Sequence, residues 1–158
     1  MIIIKKYFSV IVSVFVFIVY LFTLAPSVIQ IDSGELAAVQ IIPGIAHPTG
    51  YPLFTIIGYL FSLIPLPFTK IYQMNLLAAI YCSIAAGIFS YTAKFLLDNV
   101  VAFRIIKTVK HKKKEKIKKE ISHTELKDEL KLFFSVIAGL TLAFSKTFWF
   151  QSTSVEVY

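Results

Sequence analysis

The sequence predicts an all-α, multi-spanning membrane protein, and three observations predict it. Hydrophobic residues fill 57% of the 158 positions, and the mean hydropathy of +0.76 lies far above that of a soluble domain. Charge is segregated, with most of the +7 excess in one block from Arg104 to Lys131. The remainder contains apolar runs long enough to cross ~30 Å of hydrocarbon as helices.

The first run, about Tyr7 to Ile29, is uncharged and follows Lys5 and Lys6. A signal peptide also begins with a basic head, but its apolar region is ~7–15 residues long, and Leu24-Ala25-Pro26 is a poor cleavage site. The run is therefore expected to be an uncleaved anchor with a cytoplasmic N-terminus. Tyr51 to Leu66 is apolar but short, opened by Pro52 and stopped by Pro65 and Pro67. Tyr72 to Leu97 and Leu132 to Phe150 are both long enough to span. If all four crossed, the lysine-rich loop would lie outside, against the tendency of such loops to stay cytoplasmic. Three crossings are expected, at 7–29, 72–97 and 132–150, with an outer loop 30–71 and a basic cytoplasmic loop 104–131 in one membrane domain.

The basic loop pairs Glu115 with Lys119 and Lys116 with Glu120 at helical spacing. It is expected to be a solvated arm that fixes topology and attracts anionic lipid headgroups. It lacks the interleaved aromatics that stack bases, so nucleic acid is not an expected partner. Cys82 stands alone in an apolar run and reads as a small packing residue.

On three crossings Asp32, Glu35, His47 and Glu156 share the outer face. Asp32 and Glu35 have the three-residue spacing of a capping box ahead of Leu36-Ala37-Ala38-Val39. They also have the chemistry of a general base beside a hydrophobic wall, and a capped helix would be a rigid mount for one. The stretch Pro43-Gly44-Ile45-Ala46-His47-Pro48-Thr49-Gly50-Tyr51-Pro52 dictates a tight non-helical path, ending the helix from Asp32 near Gly44. No second His or Cys stands at metal-ligand spacing, since His111 and His123 fall in the basic loop, so a zinc site is not expected.

Taken together, Leu24-Ala25-Pro26, Asp32-Ser33-Gly34-Glu35, His47-Pro48-Thr49-Gly50-Tyr51-Pro52-Leu53, Asn75-Leu76-Leu77, Phe148-Trp149-Phe150-Gln151 and Val155-Glu156-Val157-Tyr158 resemble the N-terminal part of one family. It is the transmembrane protein O-mannosyltransferase-like family, long catalogued as a domain of unknown function, and its layout is similar to the GT-C class of lipid-linked-sugar glycosyltransferases. The resemblance covers nearly the whole chain. It departs at Thr49, where the family often has a second Pro, and at Lys146, where the family also has Pro. Family members continue through further spans, so the chain is expected to be part of a longer protein, the alternative being a truncated protein that cannot make a complete site and would be inactive.

The resemblance implies a GT-C-like fold with juxtamembrane helices in the first outer loop. It also implies transfer of a sugar, mannose by analogy, from a polyprenyl-phosphate donor to a hydroxyl on a protein or glycan acceptor. Asp32 matches the acceptor-engaging acid, with Glu35 as its catalytic neighbour, and the substrate-binding candidates are His47, Tyr51 and Glu156. His47 and Lys146 are the cations considered for the leaving phosphate. No cofactor is expected, although the sequence leaves a divalent metal open. The Lys/Ile-rich composition and short loops favour a bacterial inner membrane over the ER membrane. The alternative is a non-catalytic scaffold or transporter fragment in which Asp32 and Glu35 only cap a helix.

Overall fold

A computed structural model describes residues 2–29, 31–48, 50–108 and 127–156. It contains six helices among the described residues: α1 (Ile2–Thr23), α2 (Ser33–Ile41), α3 (Pro52–Ser62), α4 (Lys70–Thr108), α5 (Asp128–Ala143) and α6 (Lys146–Thr153). The Glu115 and Lys116 pairs, His111 and His123 lie outside the described residues.

Helices α1, α4 and α5 form an antiparallel bundle around Val12, Val16, Tyr20, Ala79, Ala86 and Ala143. α1 stops at Thr23 rather than Ile29, because a residue before proline is driven out of helical geometry and Pro26 follows closely. Small residues let the helices meet. A Cβ built on Gly87 would collide with Ser13 of α1 and stand 2.6 Å from the Ser9 carbonyl, and one on Gly139 would collide with Ser90 and stand 3.0 Å from the Ala86 carbonyl. Lipid offers no hydrophobic drive between helices, so such close backbone approach is the principal source of attraction. The outward residues are apolar, as hydrocarbon requires: Ile11, Phe15 and Ile18 on α1, Ile84, Ile88 and Phe95 on α4, Phe133 and Ile137 on α5.

α4 runs for 39 residues, about 58 Å at 1.5 Å per residue, so it extends well past the hydrocarbon. Its apolar window is Lys70–Asn99. At that far end Asp98 takes Lys94 at 2.6 Å and Lys131 of α5 at 3.7 Å, tying the two helices. Lys131, 9% exposed, also lies 3.9 Å from Asp128.

The segment 132–150, read as one helix, is broken. α5 and α6 are bent by 64°, with Ser145 in extended geometry between them. The Ala143 carbonyl, near the end of α5, accepts the Tyr20 hydroxyl at 2.7 Å, so the break leaves no orphan there. Trp149 closes over it, its ring 5.7 Å from Tyr20 edge to face. α3 has only 11 residues, about 16 Å, too short to cross hydrocarbon.

Candidate functional site

The bundle places the end of α1, the start of α4 and the end of α6 together. Ala25 N–H donates to the Thr153 carbonyl at 2.9 Å, and Asn75 on α4 reaches the segments that follow both α1 and α6. Its Nδ2 donates to Ala25 O at 2.9 Å and Ser27 O at 3.4 Å, and its Oδ1 accepts the Val155 N–H at 2.9 Å. α2 and α3 cover this end through a second cluster of Leu36, Ala37, Ala46, Met74 and Val155, with Tyr51, Phe54 and Phe61 at its edge. Glu35, His47 and Glu156 each adjoin a member of this cluster in sequence and none of the three is buried, so each lies at its rim.

The capping box does not form. Asp32 occupies the N-cap position of α2 in αR geometry, with no side-chain cap bond, and its carboxylate has no partner among the described residues. Glu35 turns away across twelve residues of chain: its Oε1 accepts the His47 N–H at 2.8 Å, and its Oε2 lies 3.2 Å from His47 Nδ1. The backbone N–H of His47, then its ring, hold the Glu35 carboxyl below the usual carboxylate range, against the opposing effect of desolvation. This latch ties α2 to the Pro/Gly loop, and α2 ends at Ile41, close to the expected stop.

Beyond His47 the chain makes a turn closed by Gly50 N–H to His47 O at 2.9 Å. Gly50 (φ 81°) and Tyr51 (φ 40°) follow in left-handed geometry, which a tyrosine adopts only under constraint. The constraint is visible: Tyr51 immediately precedes Pro52 at the start of α3, its carbonyl accepts Thr55 N–H, and its ring meets the His47 ring edge to face at 6.0 Å.

His47 thus contacts both Glu35 and Tyr51, Glu156 follows the buried Val155, and Asp32 stands at the start of α2. His47 spends its Nδ1 on Glu35, while Lys146 is exposed at the start of α6. Two residues at this end escaped the sequence reading. Lys70 donates to the Ser62 carbonyl at 2.5 Å and to Gln73 Oε1 at 3.2 Å, closing the C-terminal turn of α3. Asn75 counted only as part of a motif, although a buried amide in an apolar span is itself a signal of an interhelical hydrogen bond. No group of three His, Cys, Asp or Glu side chains converges among the described residues.

The model of the protein O-mannosyl-transferase TMEM260 N-terminal domain matches residues 32–158. The chain belongs to that family. Its first matched residue is Asp32, so every rim residue lies inside the family's domain. A protein O-mannosyl-transferase tmem260 of Dictyostelium discoideum is 42% identical over 84 residues, 52% of this chain and 10% of that protein. Protein O-mannosyl-transferase TMEM260 of Mus musculus is 40% identical over 75 residues, 47% of this chain and 10% of that protein. The match thus covers about a tenth of the length of these curated relatives. No solved structure matches.

Proposed function

We propose that this chain is the acceptor-side portion of a protein O-mannosyl-transferase. It moves mannose from a polyprenyl-phosphate carrier to a protein hydroxyl, on the membrane face opposite the lysine-rich segment. The acceptor oxygen bonds to the anomeric carbon as the bond from that carbon to the phosphate oxygen breaks. The electron pair stays on the departing polyprenyl phosphate, and the hydroxyl proton passes to Asp32.

The family and its named relatives support the reaction class. One observation carries the assignment of roles: both Glu35 oxygens are engaged by His47, whereas the side chain of half-buried Asp32 has no hydrogen bond among the described residues. A general base works through a lone pair for which no other donor competes, and Asp32 supplies one. Glu35 is then a positioning residue, holding α2 against the loop.

Asp32→Asn in the full chain, assayed with polyprenyl-phosphate mannose and an acceptor peptide, is expected to lower transfer about 10²–10⁴-fold. Transfer at the wild-type rate would sink the role of Asp32.

A further inference from the structure

Asn75 is fully buried on α4, and the chemistry proposed above does not use it. Its amide orientation is fixed by its partners. Two carbonyls, of Ala25 and Ser27, face Nδ2, and one N–H, of Val155, faces Oδ1. Only a group with both a donor and an acceptor satisfies all three. Val155 is held twice, its N–H by Asn75 and its side chain, 1% exposed, in the cluster with Leu36, Ala37, Ala46 and Met74. The next residue is Glu156, half-buried at the rim. Ala25 N–H to Thr153 O closes the same junction from the α1 side.

We propose that Asn75 is the positioning residue for Glu156, transmitting the packing of the spanning helices to the acidic rim by way of the Val155 N–H. The Glu156 half of this statement rests on the transferase reading, with Glu156 taken as the substrate-binding candidate that the family resemblance implies. The hold on Val155 does not.

The test has two arms in the full chain. In a Cys82→Ser background, Val155→Cys places a thiol in the buried position. With Asn75 present it is expected to react slowly with maleimide, and Asn75→Ala is expected to raise the rate at least about tenfold, as the segment opens locally. An unchanged rate overturns the proposal.

In the second arm, Asn75→Ala and Glu156→Gln are each expected to lower kcat/KM about 10–100-fold, the loss that a misplacement on the order of 1 Å produces. The double variant is expected to be no slower than the slower single, because both remove one interaction. Losses that multiply would assign Asn75 to general stability and overturn the positioning role. If Asn75→Ala does not accumulate, Val155→Pro deletes the same N–H next to the already extended Ser154, and the cycle is run with it. A wild-type chain without transfer would count against the transferase reading, and the labelling arm would then decide whether Asn75 holds the segment.

Discussion

Replacing Gly87 with Ala probes the contact on which the α1–α4 pairing depends. The added Cβ would meet the Ser13 hydroxyl, which can rotate, and the Ser9 carbonyl at 2.6 Å, which cannot. Ordinary contact begins near 3.4 Å. The two helices must therefore separate locally by roughly 0.8 Å, a gap that forfeits a quarter to a half of each dispersion contact beside it. Val12, Val16 and Ala79 pack along this interface, and overpacking of such a seam costs about 1–3 kcal/mol. Gly34→Ala is the control. Its Cβ meets only Val28 methyls at 3.7 and 3.9 Å, and alanine in a helix is favoured by about 0.5–1 kcal/mol. Denaturant titration in mixed micelles should show Gly87→Ala destabilised and Gly34→Ala neutral or stabilised. Equal effects at the two sites would refute the close approach of α1 and α4.

Two further substitutions test the helix break and the latch on α2. Tyr20→Phe leaves the Ala143 carbonyl without its 2.7 Å donor at the break between α5 and α6; a loss of about 0.6–1.7 kcal/mol in the same titration is expected, and none would mean the hydroxyl is dispensable there. For the latch, the folded-state carboxyl of Glu35 lies below its ordinary value of 4.5. A depressed acid adds stability above its unfolded pKa and loses it as pH falls through the folded one. The melting-temperature gap between wild type and Glu35→Gln should thus be full at neutral pH and close below about pH 4.5; a gap independent of pH would remove the ionic part of the latch.

The apolar runs that make α1 and α4 are plain in the sequence, as is the early stop of α3 at its prolines. The break at Phe144 and Ser145 is not. The residue that would have announced it is the proline the resembling family carries at position 146. Here that position is Lys146, the first residue of α6, where proline is well tolerated. Without it the hydropathy runs straight through.

The rim shows a different limit. A three-residue spacing between Asp32 and Glu35 fits a local cap, but spacing carries no information about a partner twelve residues away, and His47 gave Glu35 both a backbone N–H and a ring nitrogen. Asn75 was legible in principle, since a buried amide must find partners, although the sequence could not say that they would be Ala25, Ser27 and Val155.

Asp32, Glu35, His47, Tyr51 and Glu156 face together only if α3 remains on one side of the membrane. Single cysteines at Ile31, which is 98% exposed, at exposed Thr69 and at exposed Lys127, in a Cys82→Ser background, test this with an impermeant maleimide on sealed vesicles. Labelling of Ile31→Cys and Thr69→Cys from one side and Lys127→Cys only from the other is the predicted result. Ile31→Cys and Thr69→Cys labelling from opposite sides would make α3 a span and divide the rim.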